Sequence, residues 1–223
     1  SPKLHNYWIK NNNINAIYER KKIEENEIEN IISQLKNNKI NGLNVTVPFK
    51  KSVIPFIDEL SSEAKQSQSV NTIYKKNNKI LGHNTDISGF ELAIRKKGYS
   101  VKGKTIFVLG AGGVAPSIIL SLIKMKADKI ILSNRTKKKA EDLKLIFSML
   151  EIVDWGHTPK FDMVINATSL GLDDNDEIKL DYENIGQNKF FFDVIYNPQE
   201  TKFLLIAKRH GNQTENGKMM FIY

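Results

Sequence analysis

The 223-residue chain carries 33 Lys and Arg against 25 Asp and Glu, a formal charge of +8, with 40% hydrophobic residues and no cysteine. That length allows one large domain or two modest ones with sizeable cores, and the composition is that of a soluble globular protein. Disulfides and thiol chemistry are excluded, no apolar run approaches the length of a membrane span, and His5, His83, His157 and His210 are too scattered for a metal motif. The positive charge invites a comparison with nucleic-acid binders. However, the lysines are spread along the whole chain, with no zinc-finger, helix-turn-helix or aromatic RNA-binding signature, so neither nucleic acid nor a membrane is expected as a partner.

In chain order, Leu4, Tyr7 and Trp8 give the apolar side of a short helix, with Ser1 as its cap and Pro2 in its first turn. Residues 14–18 read as a strand. Ile28, Ile31, Ile32 and Leu35 then repeat at helical spacing and predict an amphipathic helix that ends near Asn37 and Asn38. Val45 and Val47 alternate with Asn44 and Thr46 as on a strand, which Pro48 terminates. Lys50, just beyond it, is either an ordinary surface lysine or one that reaches a ligand cleft. Ile54, Phe56, Ile57 and Leu60 predict helical packing, residues 69–74 a strand, and residues 75–79 a polar hairpin turn. Asp86 stands near the start of the next helix, where a carboxylate caps well. Brought to Lys50, it would instead complete an ammonium–carboxylate pair able to position a hydroxyl and move its proton.

Residues 98–103 mark a boundary, and the second half alternates strand and helix as a parallel βαβ unit does. Residues 104–109 are a short apolar run suited to a buried parallel strand, followed by a glycine turn and an apolar helical face from Ser117. Within Gly110-Ala111-Gly112-Gly113-Val114-Ala115, the residues Gly110, Gly112 and Ala115 fit the dinucleotide fingerprint G-x-G-x-x-G/A. Such a turn suits a pyrophosphate on the helix N-terminus, although an ordinary glycine turn would share the pattern. The following strand, 129–133, ends in Asn134-Arg135-Thr136, with no acid before Glu141 and lysines at 137, 138 and 139. An NAD-binding unit places an acid there for the ribose hydroxyl; a basic environment suits a 2′-phosphate, hence NADP(H). The lysines would equally suit a solvated helix start, so Arg135 carries the specific expectation. A helix over 138–149, strands at 151–153, 161–165 and 189–196, and a helix over 201–209 complete the unit. The loop 166–171 follows a parallel strand, where it binds the nicotinamide portion or forms a tight turn. Residues 217–223 read as the start of a helix.

The ordered set Ser1-Pro2-Lys3-Leu4-His5-Asn6, Asn44-Val45-Thr46-Val47-Pro48-Phe49-Lys50, Ser69-Val70-Asn71-Thr72, Gly82-His83-Asn84-Thr85-Asp86, the glycine turn, Asn134-Arg135-Thr136, the segment from Asn166 to Gly171 and Tyr196-Asn197-Pro198-Gln199-Glu200-Thr201 resembles shikimate dehydrogenase. The resemblance runs through essentially the whole chain. It implies an α/β protein with an N-terminal catalytic domain over 1–100, a Rossmann-type NADP-binding domain over 101–210 and, at 211–223, the beginning of a helical return to the first domain. It further implies reversible interconversion of 3-dehydroshikimate and shikimate in aromatic amino-acid biosynthesis, in the cytoplasm, by a monomer or homodimer that needs no metal. Lys50 and Asp86 match the family's catalytic pair. Ser1, Thr46, Asn71 and Tyr196 match residues around the acid. Gly110 to Ala115, Asn134, Arg135, Thr136, Thr168 and Gly217 match the cofactor side.

The family pattern also includes a strand and a serine before Ser1, and a substrate-binding glutamine and helices after Tyr223. These are not in the sequence, so the resemblance implies a terminally shortened member whose own activity is reduced. A quinate/shikimate dehydrogenase with broader cofactor use, or an NADP-binding module without catalysis, would share much of the same pattern.

Overall fold

The computed structural model describes residues 2–173 and 175–223, in which the chain forms two sheets joined through one helix. After α1 (Pro2–Asn11), helix α2 (Ile28–Lys36) buries Ile28, Ile31, Ile32 and Leu35, the stripe predicted from their spacing. They pack with Val53, Val70, Ile73 and Ile80 over a sheet of β1 (Gly42–Asn44), β2 (Glu59–Leu60), β3 (Thr72–Lys76) and β4 (Lys79–His83). Its order is β1-β3-β4-β2, antiparallel except for the parallel β2–β4 pair. The short α3 (Ser62–Ser67) starts at Ser61, whose hydroxyl accepts the Ala64 N–H.

The short helix expected around Leu4, Tyr7 and Trp8 forms as α1, with Tyr7 and Trp8 exposed. Three expectations fail in this half. Residues 14–18 form no strand: the side chain of Asn6 takes both backbone groups of Tyr18, and Ile17 is 76% exposed. The segment 54–60 makes a 3-10 turn (Ile54–Phe56) and then β2, whose Glu59 and Leu60 pair with Leu81 and Gly82 of β4. The alternation of Val45 and Val47 does not continue the strand past Asn44, and Val47 lies exposed in the turn that Pro48 imposes. Ser1, expected as a cap and as a ligand to the acid, lies outside the described residues.

Helix α4 (Asp86–Lys96) leads into the second half: β5 (Thr105–Leu109), α5 (Ala115–Lys124), β6 (Lys129–Ser133), α6 (Lys137–Ile146), β7 (Glu151–Val153) and β8 (Met163–Asn166). There follow α7 (Tyr182–Ile185), β9 (Phe190–Asp193), α8 (Lys202–Arg209), β10 (Gln213–Glu215) and α9 (Lys218–Ile222). The six strands pair parallel in the order β10-β9-β8-β5-β6-β7, and β10 was not anticipated from the sequence. Strand interiors alternate between two cores: Ile106, Val108, Met163, Ile165, Phe190 and Phe192 face one, and Phe107, Leu109, Val164 and Phe191 the other. Burial on both faces explains why these strands read as continuous apolar runs. The order reverses between β5 and β8, which opens a crevice at their C-terminal ends. No helix among the described residues is long and apolar enough to cross a membrane.

α4 is the joint between the halves. Its Ile87, Phe90, Ala93 and Ile94 are buried in the second core, where the Phe90 ring meets Phe192 edge-on at 5.1 Å. Met219 and Met220 of α9 pack on the same core, and Gly89 permits this approach, since a Cβ there would sit 2.6 Å from the Met220 carbonyl oxygen. Phe90→Ala should therefore lower stability by about 3–5 kcal/mol in urea unfolding. A loss below about 1 kcal/mol would show that α4 is not anchored there.

Candidate active site

Three side chains from separate segments meet where α4 begins. Lys50 is in the turn after β1, and its carbonyl accepts the Val70 N–H at 2.8 Å, which ties that turn to the approach of β3. Its Nζ donates to Oδ2 of Asp86 at 2.5 Å, with the two side chains 12% and 18% exposed. Asn71 donates through Nδ2 to Oδ1 of Asp86 at 3.0 Å and to the Thr85 hydroxyl at 2.8 Å. The Asn71 Oδ1 accepts the Thr85 N–H and the Thr72 hydroxyl, so the amide cannot turn without breaking its partners. Both carboxylate oxygens of Asp86 are thus fixed. The ammonium of Lys50, held but not sealed, keeps N–H groups for an incoming oxygen. Asn84, two residues earlier, accepts the Asp86 and Ile87 N–H groups at the start of α4, and the Asp86 carboxylate itself meets Lys50 and Asn71.

The other half of the site is the glycine turn after β5. Gly110 has φ +103°, and a Cβ there would sit 2.9 Å from the Ala167 carbonyl oxygen in the loop after β8. Ala111 donates its N–H to Oδ1 of Asn134, which binds the turn to the end of β6, and the Asn134 amide also donates to the Thr136 carbonyl. Ala115 is fully buried beneath the turn. The N–H groups of Gly112, Gly113 and Val114 donate to no group among the described residues. Three open donors leading into α5 fit the phosphates of a dinucleotide. Gly113 also adjoins the first half directly: a Cβ on it would lie 3.3 Å from Val47 Cγ2 and 3.9 Å from Lys50 Cδ. Beyond β6, Lys137 pairs with Asp154 at 2.9 Å and Lys138 with Asp142 at 3.1 Å, all exposed. Arg135 and Lys139, both exposed, make no ion pair among the described residues, and the planar guanidinium of Arg135 has the shape that suits a 2′-phosphate.

The remaining expected residues are disposed unevenly. The Thr46 hydroxyl is exposed and makes no hydrogen bond among the described residues, and the same holds for the Tyr196 phenol, whose ring stacks on Phe221 at 4.8 Å. Thr168 uses its hydroxyl within its own turn, donating to Oδ1 of Asn166 and accepting the Leu170 N–H. Gly217 donates its N–H to the Ile195 carbonyl, and a Cβ on it would lie 2.1 Å from the Val194 oxygen; only glycine lets α9 start there. Among the described residues no cluster of His, Asp and Glu could hold a metal ion. Sequence reasoning did not single out Asn84 or Asp193. An Asn two places before a helix-starting Asp, and an acid ending the apolar run Phe190-Phe191-Phe192, were the available signals.

A doubly wound parallel sheet with open N–H donors at its crevice, adjoining a fixed ammonium–carboxylate pair, is the layout of a two-domain dinucleotide-dependent oxidoreductase. Residues 1–73 match the family model of the shikimate dehydrogenase substrate-binding domain, and residues 91–202 that of shikimate/quinate 5-dehydrogenase. The shikimate dehydrogenase (NADP(+)) of Pelagibacter ubique (strain HTCC1062) is 59% identical over all 223 residues, which span 84% of that relative. The structure of shikimate dehydrogenase from Aquifex aeolicus superposes with a TM-score of 0.90 at 37% identity, over 100% of this chain and 83% of that one. A shikimate 5-dehydrogenase from Thermus thermophilus, solved with NADP(H) and shikimate, gives a TM-score of 0.88 at 27% identity, over 99% and 83%. The chain belongs to the shikimate dehydrogenase family.

At the end of β9, Asp193 is fully buried, and burial pushes its carboxyl above the usual carboxylate range. The Asn166 amide, the Ile195 N–H and the Thr201 hydroxyl donate to it and work in the opposite direction. The unfolded chain releases this proton near pH 4 and the folded chain only at higher pH. The stability contributed by the group is therefore fully present below about pH 4 and is lost as pH rises through the raised value. Urea unfolding should show Asp193→Asn gaining on the native chain as pH rises above about 4. A difference that does not vary with pH would refute the assignment.

Proposed function

We propose that the chain catalyses the reversible NADPH-dependent reduction of 3-dehydroshikimate to shikimate, the step its family performs in chorismate and aromatic amino-acid biosynthesis. The observation that carries this reading is the Lys50–Asp86–Asn71 group lying directly beside Gly113 of the turn with open donors. The first 100 residues serve as the catalytic domain and the parallel sheet from residue 101, which β10 extends to Glu215, as the NADP domain, with α9 returning to α4. Cytoplasmic location, where NADPH is available, and a monomer or homodimer accompany it.

NADPH, when bound, supplies the two electrons that carbonyl reduction requires. Gly112, Gly113 and Val114 offer their N–H groups to its phosphates, and Arg135, flanked by Asn134 and Thr136, selects the 2′-phosphate. Lys50 donates a hydrogen bond to the substrate carbonyl oxygen, stabilises the negative charge that grows on it and passes it a proton. Asp86 holds the ammonium and accepts from a neighbouring substrate hydroxyl; the two groups share the proton-moving role as a coupled pair. Asn71 keeps the carboxylate aimed. The Thr46 and Tyr196 hydroxyls are available to the acid's oxygens, and Ser1 is assigned to its carboxylate.

Lys50→Met should lower shikimate oxidation about 10²–10⁴-fold while shikimate binding, followed by calorimetry, persists. Arg135→Ala should raise KM for NADP about 10–100-fold and leave the weaker use of NAD unchanged. Turnover is best measured on this chain and on one extended at both ends, with shikimate and quinate and with each cofactor. Preference for quinate and NAD would overturn the reading.

A further inference from the structure

Side-chain hydrogen bonds join the halves at several places: the Ser121 hydroxyl donates to the Ile87 carbonyl at 2.8 Å, Lys124 meets Glu63 at 3.4 Å, and a third, buried group centres on Asn84. Asn84 is 1% exposed and uses its whole amide. Its Oδ1 accepts the N–H groups of Asp86 at 3.0 Å and Ile87 at 3.4 Å. Its Nδ2 donates at 2.9 Å to the Ser69 carbonyl and at 2.9 Å to the hydroxyl of Ser117, the third residue of α5. Two N–H groups on one side and a carbonyl on the other allow only one orientation of the amide. Ser69 adds a second stitch, its hydroxyl donating to the Gly113 carbonyl at 3.4 Å.

We propose that Asn84 is a positioning residue that couples the two binding sites, carrying the state of the glycine turn to the Asp86 carboxylate. The inference rests on the functional reading above. An anion drawn to the N–H groups of Gly112, Gly113 and Val114 orders the first turn of α5. Ser117 is buried in that turn, so the order passes through its hydroxyl to the Asn84 amide. The same amide holds the Asp86 N–H and the carbonyl of Ser69, two residues before Asn71. Cofactor binding thereby tightens both groups that aim at the substrate, and substrate binding tightens the turn in return.

Hydrogen exchange of the segment 84–90 separates this from a packing role. On the native chain, NADP+ alone should slow exchange of the Asp86 and Ile87 amides about 5-fold or more. Ser117→Ala removes the Asn84 link while leaving in place the Asn84 contacts with the first N–H groups of α4 and the Ser121 bond to the Ile87 carbonyl. It should still bind NADP+, lose the slowing, raise KM for shikimate about 5-fold or more and lower kcat about 100-fold. Asn84→Ala should add little further loss of kcat to Ser117→Ala in the double variant, and Asn84→Asp, which cannot donate to Ser69 or Ser117, should behave like it. Slowing that persists in Ser117→Ala, or is absent in a native chain that binds NADP+, would overturn the coupling and leave the functional reading intact. A native chain that does not bind NADP+ would overturn both.

Discussion

A carboxylate whose two oxygens are claimed by different neighbours is the constraint on which the rest of this molecule turns. Asp86 meets an ammonium on one side and an amide on the other, and each partner arrives from a different part of the chain. In water an ion pair of this kind contributes little, because hydration competes and both side chains lose freedom. Here most of that water is excluded, and the partners are fixed through their own backbone contacts before they meet. The Lys50 carbonyl is bonded to Val70, and the Asn71 amide is bonded to Thr85 and Thr72. The pair is therefore preorganised by hydrogen bonds that have nothing to do with its charge.

The same helix that presents Asp86 to one sheet is buried against the other. Ile87 and Phe90 follow the carboxylate within one turn and belong to the core built on β9 and α5. A rotation of α4 would move the carboxylate away from Lys50 and uncover Phe90 together. Packing of an apolar face and aiming of a charged group are thus one requirement, met by one residue sequence.

Much of this was legible in the sequence, for identifiable reasons. The α2 stripe, the apolar strands of the second sheet and the glycine turn each carry a periodic or steric signal that does not depend on distant contacts. The pairing of Lys50 with Asp86 stood as one of two readings of the residues until the family resemblance favoured it, since the 36-residue separation hides it from any local pattern. The failures have the same origin. Ile14 and Ile17 sit in a short β-branched run that suggests a strand, yet the Asn6 side chain occupies the Tyr18 backbone. The segment around Pro55 has helical spacing, but Glu59 and Leu60 pair with β4 instead, a long-range contact that the spacing does not carry. Asn84 carries no local mark beyond that of an ordinary cap, and only the three-dimensional arrangement shows its other hand on Ser117. The basic run after β6 was half informative: two of its lysines are engaged by nearby acids, while Arg135 is not.

The ring-on-ring contact between Phe90 and Phe192 joins residues about a hundred positions apart in the order of synthesis. A ribosome delivers Asp86 long before it delivers the floor on which that helix rests. Throughout the intervening translation the front sheet can pair its own strands and α4 can lean on α5 and β5, but the Phe192 side of its core is absent until β9 emerges. The packing behind the reactive corner is accordingly completed well after the residues of that corner are made.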